Sequence, residues 1–230
     1  MTDQKNRLEL NKSSVAVVVP LLNEIAMMPS LLSYLQSIDV DELVVVDGGS
    51  QDGSWKALLA SGVRAVRSEP GRAKQMNAGA SGLKSDYIVF LHADTQLPKD
   101  FRPEIQGAWG RFDVSFKPSS IGMYVVAFFM NLRSRLSHIA TGDQAIFVKR
   151  DVFDSLGGFQ EMAIMEDVDL SHRLRQFERP FNSRKKVTTS ARRWQQDGVL
   201  KTILLMWRLR LAFTFGARPS LLKQRYRDVR

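Results

Sequence analysis

Apolar and polar positions follow two rhythms in this chain. Short β-branched runs at 15–19, 43–46, 63–66 and 87–91, bounded by Gly, Asp, Asn or Pro, predict strands. Between them, 28–37, 54–60 and 72–83 space their apolar residues by three and four and are rich in Ala, Leu and Lys, as helices are. Strands separated by single helices imply a parallel sheet covered by helices. Further on, 123–136, 166–177, 199–215 and 220–227 read as helices, and 145–149 and 187–190 as extended segments. There is no internal repeat and no linker. Composition turns basic and apolar after Trp194, which predicts a polar arm over 1–14, one α/β domain over 15–194 and a helical tail over 195–230.

Charge sharpens that division. The 230 residues carry a net charge of +9, but the segment from Arg184 to Arg230 holds 13 Lys and Arg against Asp197 and Asp228. The tail region is therefore +11 and the rest of the chain −2. With no cysteine, a disulfide framework, a thiolate zinc site, an iron–sulfur centre and a cysteine nucleophile are excluded. Residues 1–14 lack the apolar core of a secretory signal, so a cytoplasmic protein is expected. The uncharged stretch 118–132 is too short to span a bilayer, and 199–216 is interrupted by Lys201, Arg208 and Arg210.

In open parallel sheets, ligands bind beyond the carboxyl ends of the strands, and the polar signals fall there. Pro20, Leu21, Asn23 and Glu24 follow the first strand; Asp47, Gly48, Gly49, Asp52 and Gly53 follow the second. The second loop is not a Walker loop, because Ser54 stands where the phosphate lysine belongs. It does not match the dinucleotide fingerprint or a calcium loop either. What remains is Asp47 held among glycines, either to accept the N–H of a pyrimidine base or to cap its own turn. His92, Ala93 and Asp94 follow the fourth strand, and Asp94 suits a hard cation bridging a diphosphate. Arg72, Lys74 and Gln75 open the helix after the third strand, where phosphate is favoured. Glu166 and Asp167 begin a helix, either satisfying its dipole or supplying a general base. His138 and His172 read as structural or surface groups.

Taken in order and spacing, Pro20-x-x-Asn23-Glu24, the 46–54 loop, the 71–79 segment, Leu91-His92-Ala93-Asp94-Thr95 and Glu166-Asp167 resemble glycosyltransferase family 2 over about 15–194. His92 to Thr95 and Gly142-Asp143-Gln144 are similar to a bacterial subgroup labelled selenium-domain or radical-SAM-associated. The resemblance implies a GT-A (Rossmann-like) fold with a mixed, mostly parallel sheet and helices on both faces. It also implies a nucleotide-diphosphate sugar donor, UDP-linked above all, a cofactor Mn²⁺ or Mg²⁺, and inversion at the sugar. By the same resemblance, Pro20, Leu21, Asn23, Glu24, Asp47, Gly49, Arg72, Gln75, His92, Ala93 and Asp94 bind the donor, and Asp94 the metal. His92 replaces the first Asp of the usual D-x-D. Asp167 matches the catalytic base with Glu166 as support, Asp143 lines the acceptor site, and Arg193 and Trp194 meet diphosphate and acceptor. The acceptor is a hydroxyl, on a small molecule or a lipid-linked one.

Leu200, Ile203, Leu204, Trp207 and Leu211 form an apolar stripe in the tail, with Leu205 and Leu209 opposite. A helix apolar nearly all round needs cover, whether the catalytic body, a homodimer through 199–227, or an anionic membrane at the inner face of the plasma membrane. The rival reading is a non-catalytic module binding nucleotides or nucleic acid with its basic tail. It does not account for acidic strand-end loops, which repel phosphates, so nucleic acid is not the expected partner.

Overall fold

The structure, a computed structural model, describes residues 13–228. β1 (Val15–Leu21), β2 (Glu42–Asp47), β3 (Ala65–Arg67) and β4 (Tyr87–Phe90) pair in parallel, as the hydrophobic pattern predicts. α1 (Met28–Leu35), α2 (Ser54–Ala60) and α3 (Arg72–Ala80) connect them. β5 (Thr95–Gln96), β6 (Trp109–Lys117), β7 (Ile146–Lys149) and β8 (Phe181–Ser190) complete one sheet, in the order β3-β2-β1-β4-β7-β6-β8-β5. β7 runs antiparallel to β4 and β6, β6 and β8 run parallel, and β5 is antiparallel to β8.

This second half departs from the sequence pattern. The periodicity marks no strand at 109–117, because Arg111 and Asp113 interrupt its apolar run, yet both are buried. They form an ion pair, and Arg111 also donates to the Phe112 carbonyl (3.1 Å) and the Asn182 side chain (3.0 Å). A paired, fully hydrogen-bonded charge is the form in which a strand interior tolerates one. β8 likewise begins at Phe181, six residues before the expected extended segment, because its polar half, including Arg184 and Lys186, faces solvent.

Alternation along β1 divides the core into two layers. Val15, Val17, Val19 and Leu21 join a cluster with α1 and with Met123, Val126 and Ala127 of α4 (Ile121–Ser137). Ala16 and Val18 face the opposite cluster, which takes in Val152 and Phe153 of α5 (Arg150–Ser155) and Leu170 and Leu174 of α6 (Glu166–Phe177). α3 lies so close to this face that a Cβ on Gly79 would sit 2.4 Å from Val18 Cγ1.

The tail forms α7 (Arg192–Asp197), α8 (Val199–Thr214) and α9 (Pro219–Asp228). α7 runs across the composition change at Trp194, whose ring packs edge-on against Phe116 at 5.8 Å. Of the three covers weighed for the tail, the body supplies one for part of it. Leu209 and Leu222 are buried with Ile139, Met165 and Val168, next to the start of α6. Leu200, Leu204, Trp207 and Leu211 remain exposed. Among the described residues, no helix is long and apolar enough to cross a membrane.

Candidate functional site

The loops after β1 and β2 interlock. Asn23, at φ 53°, donates its N–H to Ser50 Oγ (2.8 Å), while its side-chain oxygen accepts from the Gln51 N–H (2.9 Å). The Glu24 N–H reaches Ser54 Oγ (3.0 Å), and Asp52 accepts from the Ile25 and Ser54 N–H groups (2.9 and 3.0 Å). Gly49 and Gly53, at φ 93° and 97°, supply the left-handed turns that side chains disfavour. Asp47 holds the loop from beneath. Its carboxylate accepts the Gly49 and Ser50 N–H groups (both 3.1 Å) and lies 3.6 Å from Arg67 Nε.

Three residues assigned to the donor by resemblance lie behind the rim. Asp47 has no exposed surface, and Leu21 is packed in the core. Gln75 is buried and donates through Nε2 to the carbonyls of Leu21 (2.8 Å) and Val46 (2.9 Å), bracing the ends of β1 and β2. Asn77 is used similarly, exchanging hydrogen bonds with the Phe159 backbone (2.8 and 2.9 Å). Pro20 is half-buried at the end of β1, whereas Asn23 and Gly49 are exposed and Glu24 partly so. Of the α3 segment, Arg72 faces the charges of the cleft. Desolvation opposes its charge, but Glu166, Asp143, Tyr226 and Asp167 outweigh this and raise its pKa.

The acidic half of the site is assembled by the turn at Gly142–Gln144. The Gly142 N–H donates to Asp167 Oδ2 (2.8 Å), and Asp143 Oδ1 pairs with His92 Nδ1 (3.2 Å). The other Asp167 oxygen accepts the Val168 N–H (2.7 Å). Only glycine fits at 142, since a Cβ there would lie 2.3 Å from His92 Nε2. Glu166 is buried, and desolvation with the adjacent Asp167 charge pushes its pKa up, against the pull of Arg72. Arg133 of α4 stands nearby. Burial lowers its pKa to about 10 despite the attraction of Asp167 and Asp143, and its Nη2 is buried without a hydrogen-bond partner. No motif marks Arg133; its one signal is a cation following an uncharged helical stretch.

Asp94 lines a cavity of about 200 Å³ with Ala93, Tyr34, Lys117 and Thr189. The Thr95 and Thr189 hydroxyls both approach Oδ1 (3.3 and 3.4 Å), which orients the carboxylate. Among the described residues no group of three or more His, Asp or Glu is arranged to hold a metal. A cation bridging a diphosphate takes most of its oxygens from ligand and water, so one oriented carboxylate fits that use. His92 does not add to it, being turned to Asp143. Trp194 is held against Phe116, Arg192 reaches Glu24 (3.3 Å), and the side chain of Arg193 lies outside the described residues.

The family model for glycosyl transferase family 2 matches residues 16–159. The chain belongs to glycosyl transferase family 2. Glucosyl-3-phosphoglycerate synthase of Mycobacterium tuberculosis is 31% identical over 97 residues, covering 37% of this chain and 30% of the relative. Undecaprenyl-phosphate 4-deoxy-4-formamido-L-arabinose transferase of Aeromonas hydrophila is 32% identical over 114 residues, 44% of this chain and 35% of that one. The match thus spans about a third of these curated relatives. Among solved structures, S. aureus TarS 1–349 superposes with a TM-score of 0.59 at 15% identity, covering 77% of this chain and 60% of that one. The M. tuberculosis synthase bound to Mg²⁺ and UDP gives 0.56 at 18% identity, over 82% and 74%. The fold is therefore GT-A.

Proposed function

We propose that this protein is a metal-dependent inverting glycosyltransferase that moves a sugar from a nucleotide-diphosphate donor, UDP-linked above all, to a hydroxyl acceptor. The observation that carries the reading is the turn at Gly142–Gln144. One backbone N–H orients Asp167, and the next side chain ties in His92, two residues from Asp94. A base and a diphosphate end are thereby fixed against each other. The relatives support the donor class, since the M. tuberculosis synthase has been solved with UDP and with Mg²⁺ or Mn²⁺.

Asn23, Glu24 and Gly49 form the nucleoside rim, with Asp47, Leu21 and Gln75 shaping it from behind. Asp94 would hold Mn²⁺ or Mg²⁺, which would supply charge neutralisation for a diphosphate leaving group. Arg72 adds a fixed positive charge at the same end. Asp167, half-buried and oriented by Gly142, accepts the acceptor hydroxyl's proton as that oxygen attacks the anomeric carbon from the face opposite the diphosphate. Glu166, whose pKa burial and the Asp167 charge push up, flanks Asp167 at the start of α6. Asp143 borders the acceptor. Residues 15–194 form the catalytic domain, and the tail packs beside the start of α6 through Leu209 and Leu222.

Thermal stabilisation by a panel of nucleoside diphosphates, with and without Mn²⁺, tests the donor site. UDP with Mn²⁺ is expected to raise Tm in the wild type but not in Asp94→Ala. Equal stabilisation without the cation, or none from any nucleotide, overturns the assignment.

A further inference from the structure

An open groove of about 920 Å³ runs between α4 and the sheet formed by β6 and β8. Strand alternation builds its polar wall. Asp113, Ser115 and Lys117 of β6 share a face with Arg184, Lys186 and Thr188 of β8, with Asp113 opposite Lys186 and Ser115 opposite Thr188. Asp113 is already neutralised by Arg111 and by Arg135 (2.7 Å). Lys117, Arg184 and Lys186 are exposed and make no ion pair among the described residues. The net charge on this wall is therefore positive and uncompensated.

The facing wall is apolar. α4 contributes Tyr124, Phe128 and Leu132 at four-residue intervals, with Met123 and Ala127 beneath. Tyr124 is 66% and Phe128 61% exposed, an unpartnered aromatic surface on one side of a cationic trough. A free phosphate gains nothing from that wall, and a neutral apolar chain nothing from the three cations. One class of ligand satisfies both, an amphiphile with an apolar chain and an anionic head.

We propose that this groove binds a single anionic lipid, its chain along Tyr124, Phe128 and Leu132 and its head group against Lys117, Arg184 and Lys186. The volume suits one chain, lying within the range of pockets that enclose single small ligands. Lys117 and Thr188 also line the cavity that contains Asp94, so the groove adjoins the proposed donor end. Binding of such a lipid is independent of sugar transfer and is measured without a donor.

Isothermal titration with decyl phosphate and decyl maltoside, both below their micelle-forming concentrations, and with inorganic phosphate distinguishes the sources. Saturable one-to-one binding of decyl phosphate is expected, about tenfold or more tighter than either partial analogue. Lys186→Glu on the polar wall and Phe128→Asp on the apolar wall are each expected to weaken it by about tenfold, with Tm and UDP binding unchanged. Both side chains are exposed, which keeps the fold out of the comparison. No saturable binding, equal binding of the maltoside, or decyl phosphate binding untouched by both variants overturns the proposal. So does a concentration-dependent dimer abolished by Phe128→Asp, which would make a second copy the occupant. Loss of donor binding with lipid binding intact instead contradicts the transferase reading alone.

Discussion

Gly142 shows how one residue can decide a site. Its N–H orients Asp167, and its missing side chain makes room for the His92 ring. Gly142→Ala is expected to displace His92, lower stability by about 1–3 kcal/mol and abolish transfer; His92→Ala in the same chain restores stability but not transfer. Denaturant titration of the single and double variants reads both. Glu166 gives a pH signature of known sign. Its folded pKa is raised, so its favourable contribution is complete below the ordinary carboxylate pKa of about 4.3 and is lost as pH rises through the folded value. Glu166→Gln therefore raises Tm near pH 8, and the gain disappears near pH 4. A gain that grows toward acid contradicts this. The proposed roles of Asp167 and Asp94 start from the sequence, because the two residues stand at a helix start and just past a strand end. Arg133 was not, because a lone arginine in a helix carries no spacing signal.

At the level of elements, legibility followed the hydrophobic period. β1, β2 and β4 stand out as short Val- and Ile-rich runs and the helices between them by their apolar spacing, whereas β6 hides behind Arg111 and Asp113, whose mutual pairing only the fold reveals. In the helix α3, residues whose pattern reads as ligand-binding also take structural partners that only the fold reveals. Gln75 braces two strand ends, Asn77 fastens the Phe159 backbone, and Gly79 permits contact with Val18, leaving Arg72 to the cleft. Gln75→Leu keeps the volume but removes both donated bonds. It is expected to cost about 1–3 kcal/mol by denaturant titration and to weaken UDP binding by loosening the rim. Unchanged stability would show that the brace is dispensable.

Across the whole molecule, the net charge of +9 conceals a division of labour. Acidic side chains gather at the Gly142–Gln144 turn and the start of α6, where Glu166, Asp143 and Asp167 raise the pKa of Arg72. The basic C-terminal region both packs on this body, through Leu209 and Leu222, and supplies Arg184 and Lys186 to the lipid groove. The pattern alone left the tail's cover open among body, membrane and second copy, since a helix apolar nearly all round points in no single direction. The central claim, transfer of a sugar with Asp167 as the base, is tested most directly by UDP release and product formation in wild type and Asp167→Asn. The wild type is expected to transfer from a UDP-sugar. Asp167→Asn should bind UDP with Mn²⁺ as tightly while losing about 10²- to 10⁴-fold in rate. Transfer by Asp167→Asn at the wild-type rate would contradict the account.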